Sequence, residues 1–382
     1  MWMGKKTVII IAWILVVALV MSVLVAITSV FAADETVVTE KVMNFSLEEA
    51  TAYSSEHNYD LLISKIDKEN IELSKRIMED LQDTLKDAYA VTKGAGDNFD
   101  NYKVRNGYTL QVTKNAEKML EKANLFQEKS TEVAVLAAYY ALSEKTLLRE
   151  QKKSTLDLIN DQVKVCENKL ALGNVSDLVY KTVLLEKTGA EIEYTTAEAD
   201  YSRALMGFNK IIGLPLDTKV NLTSKVIYEK YIMPDYNKKL EDRKNEDLTY
   251  AQLLFDKAMI EKENKMAQAY YGMRALEYKQ VANKIRKNEL SIKKQEFEIE
   301  YKLKADIMAI SVLEESINAS LAAIVFTKTI SEITKLKSTL GMSTELEVID
   351  AELKVQDAEI KHIQAVHGYN TLILMFERNV VG

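Results

Sequence analysis

The stretch LALGNVSDLVYKTVLLEKTGAEIEYTTAEADYSRALMGFNKIIG, from Leu170 to Gly213, decides the fold because the chain contains it twice. The second copy reads LGMSTELEVIDAELKVQDAEIKHIQAVHGYNTLILMFERNVVG and begins at Leu340. An offset of 168 residues (341 minus 173) places Gly173 on Gly341 without a gap. The same offset aligns Leu178 with Leu346, Leu185 with Leu353, Ala190 with Ala358, Glu191 with Glu359, Ile192 with Ile360, Tyr201 with Tyr369 and Phe208 with Phe376. The repetition predicts two structurally equivalent halves.

Apolar residues recur at steps of seven in both copies, which is the spacing of helices that wind around one another in a left-handed supercoil. The series are Leu178, Leu185, Ile192, Ala199 and Met206, then Leu346, Leu353, Ile360 and Leu374, and, upstream, Phe126, Val133, Tyr140 and Leu147. Because 168 is a multiple of seven, both copies share one heptad frame. Two prolines and 12 glycines in 382 residues are also typical of long helices. We therefore predict an all-α fold of long antiparallel coiled-coil helices in two tandem repeats.

Composition excludes several classes of function. A net charge of −7 argues against nucleic-acid binding, which needs a concentrated basic surface. The single cysteine, Cys166, permits no intrachain disulfide. The sequence has no glycine-rich phosphate loop, no nucleophile elbow and no metal-ligand spacing. We therefore expect neither catalytic residues nor a cofactor or metal, and we predict that the protein is not an enzyme.

The N-terminus, residues 1–32, carries Lys5 and Lys6 followed by the apolar run TVIIIAWILVVALVMSVLVAITSVFAA. Val30, Phe31 and Ala32 resemble a signal-peptidase site, whereas the length of the run reaches the roughly 20 residues that span a bilayer. Both interpretations, a signal peptide and an N-terminal membrane anchor, place the lysines in the cytoplasm and export the rest. We therefore expect a location in the cell envelope, outside the cytoplasmic membrane.

The exported part divides into three predicted segments. The first repeat, residues 41–215, opens at a capping box formed by Ser46 and Glu49. One helix is predicted from there to about Val91, followed by a turn at 93–107 and a helix of more than sixty residues that ends at Gly173. A connector, residues 216–245, is predicted on the outside of the bundle. The second repeat, residues 246–382, is predicted to start with one long helix, in which Gly272 marks at most a kink.

These features resemble the TolC or outer-membrane efflux protein family, most specifically in LALGNVSDL, IIGLPLD and the repeat at Leu340. The resemblance implies a homotrimer in which six helical hairpins form a hollow tunnel. The hairpin tips would meet a periplasmic adaptor, a membrane fusion protein, which itself belongs to a cytoplasmic-membrane transporter. The tip residues implied are Gly173, Asn174, Val175, Ser176, Gly341, Met342, Ser343 and Thr344.

The resemblance also assigns a pore constriction. Carboxylates six and nine positions beyond the second tip glycine ring the narrow end of the tunnel in the family, and here they are Glu347 and Asp350. Three copies would bring six carboxylates together, which favours cations. The first repeat has Val179 and Thr182 at these positions.

The sequence departs from the family where members insert two strands per half to build an outer-membrane barrel. Spanning strands need about 9 to 11 alternating residues each. The turn at 93–107 is too short and too polar for them, so we predict a tunnel protomer without β-barrel strands.

The predicted function is a duct in an efflux or type I secretion-like export complex. One alternative stays open, an exported coiled-coil scaffold of the cell surface, because it needs the same helix packing. A duct must turn polar side chains toward a water-filled lumen, whereas a rod closes its core with apolar ones.

Overall fold

The computed structural model describes residues 42–380, which belong to one compact unit, and the predicted signal peptide or anchor at residues 1–32 lies outside them. Long helices dominate the described part. In chain order the elements are β1 (Met43–Phe45), α1 (Leu47–His57), α2 (Tyr59–Thr92), α3 (Phe99–Arg105), α4 (Tyr108–Ala171), α5 (Asp177–Ile212), β2 (Val220–Leu222), α6 (Tyr236–Glu246), α7 (Leu248–Tyr271), α8 (Leu276–Thr339) and α9 (Glu345–Arg378). The prediction of an all-α fold is confirmed, since the two strands have three residues each.

The capping box at Ser46 is confirmed, but the helix that it starts is shorter than predicted. The Ser46 hydroxyl accepts a hydrogen bond from the Glu49 amide at 3.1 Å, and the Glu49 carboxylate accepts one from the Ser46 amide at 2.8 Å. The prediction of one helix to about Val91 is wrong, because α1 ends and α2 begins at Asn58. The Asn58 amide group donates to the Ile211 carbonyl at 2.7 Å, so this break is fixed by a contact with the end of α5.

The two long helices α4 and α8 contain 64 residues each, which at 1.5 Å per residue makes each about 96 Å long. At one end, which we call the tip, α4 turns into α5 through residues 172–176 and α8 turns into α9 through residues 340–344. At the opposite end, which we call the far end, residues 93–107 connect α2 to α4 and residues 272–275 connect α7 to α8. The first of these far-end turns contains the short helix α3, which the sequence did not predict.

The prediction of an uninterrupted helix beyond Glu246, with a kink at Gly272, is wrong. The chain breaks at Asp247, whose side chain caps α7 by accepting from the Tyr250 amide at 2.6 Å. At Gly272 the chain reverses rather than kinks, and α7 and α8 pack as an antiparallel pair. The Gly272 backbone has φ 83° and ψ 160°, a conformation that residues with a Cβ rarely adopt. The second half therefore has a far-end hairpin just as the first half does.

The main hydrophobic core lies midway between tip and far end, where short elements cover the long helices. Strand β1 pairs in parallel with β2, with Met43 opposite Val220. The Tyr139 hydroxyl of α4 donates to the Phe45 carbonyl at 3.1 Å and accepts from the Ser224 amide at 2.8 Å. These bonds attach β1 and the connector to the middle of α4.

The duplication extends into the core of the long helices. The offset of 168 residues relates fully buried side chains on α4 to fully buried side chains on α8, and the same holds for α5 and α9. The pairs are Val135 and Leu303, Leu142 and Ile310, and Phe208 and Phe376. The two halves are therefore structural repeats in their packing as well as in their tip sequences.

The helices form one layer with two open edges. Toward the tip the order is α5, α4, α9, α8, and toward the far end it is α2, α4, α7, α8. Within residues 42–380 no comparable packing joins α8 back to α5 or α2. One edge of the layer is therefore α8 along its whole length, and the other is α5 followed by α2.

Candidate functional site

The two tip turns have the same backbone geometry. Gly173 and Gly341 have φ values of 71° and 70°, in the left-handed region that favours glycine. The Asn174 amide donates to the Lys169 carbonyl at 2.8 Å, and the Met342 amide donates to the Lys337 carbonyl at 2.8 Å. In each case the donor lies five residues after the acceptor, and this 6→1 hydrogen bond is characteristic of the Schellman motif that ends many helices. The prediction that both glycines lie in tight hairpin turns is confirmed.

The helices that follow the tips start with different caps. In the first repeat the Ser176 hydroxyl accepts from the Val179 amide at 3.4 Å. In the second repeat the Thr344 hydroxyl accepts from the Glu347 amide at 3.2 Å, and Glu347 accepts from the Thr344 amide at 2.8 Å. The Ser343 hydroxyl also donates to Glu347 at 2.6 Å. These hydrogen bonds, that of Ser343 first, hold the pKa of Glu347 below its usual value, so this carboxylate has a structural role whatever its role in a pore.

A groove of about 610 Å³ brings the two tips together. Its walls come from α4, α5 and the start of α9, and Val175 of the first tip and Thr344 of the second both line it. The apolar part of the wall includes Val165, Cys166, Val179, Val183, Leu346 and Ile349. The sequence does not predict this groove, because the wall from α9 follows the walls from α4 and α5 by more than 150 residues along the chain.

Glu347 and Asp350 both lie exposed near the start of α9. Asp350 accepts a hydrogen bond from Lys354 at 2.6 Å, and both side chains of this pair are 63% exposed, so the ion pair contributes little to stability. The equivalent first-repeat residue Thr182 instead bonds the Leu178 carbonyl one turn earlier, at 3.0 Å. The two repeats therefore differ in charge at equivalent positions.

The face of α9 that carries Glu347 and Asp350 is opposite the face that the connector covers. The connector contacts α9 where the Tyr231 amide donates to the Tyr369 hydroxyl at 2.8 Å and the Ile227 carbonyl accepts from Asn370 at 3.1 Å. At 3.5 residues per turn, the stripes that contain Glu347 and Asp350 lie about half a turn away from these contacts. The residues of the two stripes are Glu347, Lys354, Lys361, Gly368 and Met375, and Asp350, Asp357, Gln364, Thr371 and Arg378.

Apolar side chains remain exposed along both open edges of the layer. On one edge they are Leu178, Leu185, Ile192 and Met206 of α5, continued by Tyr59, Ile63, Ile66, Leu73 and Ile77 of α2. On the other they are Phe297, Tyr301, Met308, Val312, Phe326, Ile330 and Ile333 of α8. Spacings of three, four and seven residues in each series are those of a coiled-coil seam whose partner is another helix.

Helix α8 is also long and apolar enough to be considered as a membrane span. Among the described helices, Tyr278–Thr339 is the one long and apolar enough to cross a bilayer, and 11% of its most apolar stretch is buried. The helix is about three times as long as a bilayer core is thick, and length and composition alone are weak support for a span. The exposed apolar residues of α8 form a stripe on one side of the helix. Such a stripe favours packing against another helix over burial in lipid, which would surround the helix on all sides.

The seam between the two repeats, where α4 meets α9, is polar and carries the buried residue His367. The His367 Nδ1 atom lies 2.7 Å from a Glu144 carboxylate oxygen, and the imidazole stacks on Tyr140 with 4.1 Å between ring centroids. The Gln151 amide donates to Asp357 at 2.7 Å further along the seam. The sequence alone left His367 without a role, because its partner lies 223 residues away.

The helix packing and the tip turns define a class of protein. Its protomer is built from two repeats of antiparallel helical hairpins, with matched turns at the tip and two exposed apolar edges that need partners. No protein-family model and no curated protein matches the sequence. Solved structures do match the fold. Several of them are bacterial outer-membrane channels.

Three of these structures illustrate the likeness. The CmeC outer membrane channel of Campylobacter jejuni is 10% identical, with a TM-score of 0.65 over 87% of this chain and 84% of that chain. The outer membrane protein VceC of Vibrio cholerae is 11% identical, with a TM-score of 0.62 over 88% and 96%. The MtrE outer membrane channel of Neisseria gonorrhoeae, in its open state, is 12% identical, with a TM-score of 0.59 over 91% and 94%.

The chain therefore has the fold of the TolC-like channels, as the resemblance in the sequence implied. CmeC and MtrE, like the matched protein CusC, are described as channels and not as enzymes. At 10 to 12% identity the likeness concerns the fold, and the function of this chain has to be argued from its own surfaces.

Proposed function

We propose that the protein is the passive duct of an envelope export complex, either efflux or type I secretion-like. Copies of the chain assemble edge to edge into a homotrimeric ring outside the cytoplasmic membrane. The ring works with an adaptor of the membrane-fusion type and a transporter in the cytoplasmic membrane. The observation that carries this proposal is the single layer of helices with two unpartnered apolar edges.

Two different edges on one molecule favour head-to-tail contact between copies. Such heterologous contacts generate a ring when the rotation between copies closes. Helix α8 runs antiparallel to both α5 and α2, so the α8 of one copy can pack along both of these helices of the next. The contact would cover the exposed stripes on both partners over the full length of the layer.

The duplication supplies a template for the contact between copies. Helix α8 is the repeat equivalent of α4, and α5 is the equivalent of α9. Because α4 packs on α9 inside one protomer, α8 should pack in the same way on α5 of the neighbour. Glu144 of α4 contacts His367 of α9 inside the protomer. The offset of 168 residues makes Val312 of α8 the equivalent of Glu144, and Ala199 of α5 the equivalent of His367. Val312 and Ala199 are both exposed in the protomer and should therefore face each other between copies. An apolar pair thus replaces the polar one.

A ring of three copies leaves room for a lumen. Four helices per copy at each level give about twelve, and a spacing of ~10 Å makes the ring about 38 Å across between helix axes. Subtracting about 10 Å of helix thickness leaves about 28 Å of open width. The face of α9 that carries Glu347 and Asp350 would line this lumen, since the connector occupies the opposite face. Six carboxylates would then ring the tip and favour cations.

The tips are the proposed contact with the adaptor. Leu172, Leu340 and Met342 are apolar and exposed there, which is unusual for turn residues in water. Leu172 and Leu340 directly precede the proposed contact residues, Gly173 to Ser176 and Gly341 to Thr344, and Met342 is one of them. The groove that joins the two tips adds an apolar surface between the hairpins.

Cysteine pairing in intact cells tests the ring. In a Cys166→Ser background, Ala199→Cys and Val312→Cys lie on opposite edges of one protomer, so a disulfide between them has to join two copies. We expect oxidation to produce closed trimers. The control combines Ala199→Cys with Leu290→Cys, which is also exposed on α8 but lies in its far-end half. Open ladders of higher oligomers would favour the scaffold of the cell surface, and absence of any cross-link in folded protein would refute the edge-to-edge ring.

A second pair of variants tests the pore face. Asp350→Cys should react between copies with a bis-maleimide long enough to cross the lumen, because the residue would face the ring axis. Glu352→Cys is the control, since the Glu352 carboxylate pairs with Lys335 of α8 at 2.8 Å and lies away from that face. Equal cross-linking of both variants would refute the axial position of Asp350.

A further inference from the structure

The far end of the layer forms one continuous surface from two separate turns. The Phe99 ring of α3 lies 5.4 Å from the Tyr270 ring and 4.9 Å from the Tyr271 ring at the end of α7, between centroids. Tyr102 lies 5.4 Å from Tyr270 in the same way. Residues 93–107 and 272–275 are thereby held side by side.

This surface exposes apolar and aromatic side chains where two turns would ordinarily be polar. Val91 is 83% exposed, Leu276 71% and Met273 61%, and Tyr270 and Tyr271 are partly exposed beside them. Val91 and Leu276 extend the heptad stripes of α2 and α8, whereas Met273, Tyr270 and Tyr271 lie outside both stripes. A ring of copies joined along the edges would therefore leave Met273 and the two tyrosines uncovered.

Among the described side chains of residues 93–107 and 272–279, the unpaired charges are positive. Arg105 pairs with Asp97 at 3.0 Å, and Lys103 pairs with Asp100 at 3.0 Å, so the carboxylates of the first turn are neutralised. In the described part of the chain, the exposed cations Lys93, Arg274 and Lys279 have no carboxylate partner. The segment YYGMRALEYK, from residue 270 to 279, contains two cations and one anion. This end thus differs in sign from the chain as a whole, which carries a net charge of −7.

We propose that the far end docks on the headgroup layer of a membrane that contains acidic lipid. Tyrosine rings favour the boundary between water and hydrocarbon, where the ring is apolar and the hydroxyl stays hydrated. Met273 and Leu276 supply side chains for shallow insertion, while Lys93, Arg274 and Lys279 lie where acidic headgroups attract them. The turn at 272–275 is too short to span a bilayer, so the contact is peripheral. The contact needs only one protomer and therefore does not depend on the proposed ring.

Tryptophan fluorescence tests the contact at the residue itself. The only tryptophans of the chain are Trp2 and Trp13, so Trp2→Phe and Trp13→Phe give a silent background. Met273→Trp then reports on the far end and Met342→Trp on the tip, and both residues follow the glycine of a turn. The full chain, with its N-terminal apolar run shielded in a neutral-lipid nanodisc, is mixed with vesicles of brominated phosphatidylcholine and phosphatidylglycerol.

We expect a blue shift and bromine quenching for Met273→Trp, but not for Met342→Trp. Each basic residue near an acidic surface contributes about fivefold in partitioning, so adding Arg274→Ala and Lys279→Ala should weaken vesicle binding about 25-fold. Raising the salt concentration should weaken it as well. Equal quenching of both reporters, quenching that is unchanged on purely phosphatidylcholine vesicles, or no quenching at all would each overturn the proposal. The last result is also the one expected if a protein covers this end.

Discussion

Replacing Leu185 by aspartate should disrupt assembly without unfolding the protomer. The Leu185 side chain is 73% exposed in the isolated chain, on the α5 edge. Full burial of a leucine side chain contributes about 1.5–3 kcal/mol, so covering the exposed three quarters would contribute about 1–2 kcal/mol at each contact between copies. A buried, unpaired aspartate adds a desolvation cost of at least about 1 kcal/mol. The sum corresponds to a loss of at least about 30-fold in the association constant of each edge.

The assay compares Leu185→Asp with Leu216→Asp, a substitution at a residue that is 50% exposed on the connector and belongs to neither heptad stripe of the edges. Mass photometry in mild detergent over a dilution series gives the distribution of oligomers, and circular dichroism gives the melting temperature. We expect Leu185→Asp to shift the distribution to monomers, Leu216→Asp to leave it unchanged, and both protomers to melt within a degree or two of the parent. An unchanged oligomer distribution for Leu185→Asp would refute the edge as an interface, and a large loss of protomer stability would refute the assignment of Leu185 as exposed.

Three further outcomes follow from the described contacts. At Gly341 an added Cβ meets only open space, so Gly341→Ala should cost about 1–2 kcal/mol through its positive φ alone. Gly213→Ala should lower the melting temperature several times as far, because its Cβ would clash with the His57 backbone oxygen of α1. His367→Ala should cost about 2–4 kcal/mol in urea unfolding, because it leaves a cavity and removes the buried partner of an α4 carboxylate; a cost near zero would contradict this packing. The lowered pKa of Glu347 means that its cap is fully formed above the ordinary value of 4.5 and is lost as the pH falls through the lower folded value. The protection factors for amide hydrogen exchange, which correct for the intrinsic effect of pH, should therefore fall in acid more at the second tip than at the first, where Val179 holds the same position. An equal fall at both tips would rule out the carboxylate as the cause.

The sequence predicted the long helices and both tips because their signals are local. Apolar steps of seven and a glycine followed by a capping residue need no knowledge of distant contacts. The break at Asn58 escaped prediction because Asn58 combines a local cap with a bond to Ile211, 153 residues away. The sequence predicts a kink at Gly272, although one glycine without neighbouring turn formers is compatible with either a kink or a reversal. Only the packing of α7 on α8 decides between them.

The heptads of the duplicated segment show a second limit of sequence reasoning. Leu185 and Leu353 occupy equivalent positions and have the same identity, yet Leu185 is exposed and Leu353 is half-buried. The difference arises because α5 is an edge of the layer, whereas α9 lies between α4 and α8. A sequence pattern identifies which residues need a helical partner, and it does not say whether that partner belongs to the same chain. The contrast between these two leucines is therefore informative about assembly in a way that neither residue is alone.

Continuous and interrupted helices alternate around the layer, and this alternation would make the proposed duct stiff. Helices α4 and α8 run unbroken from far end to tip, whereas α5 with α2, and α9 with α7, are interrupted midway. Inside the protomer, both α4 and α8 span the interruption between α9 and α7. In the proposed ring, α8 of the neighbour would likewise span the interruption between α5 and α2. Each break would then lie between two continuous helices, so no level of the ring would have all its helices broken. The chain can place its connector and strands at mid-length without creating a hinge there, because stiffness depends on the continuous helices on either side.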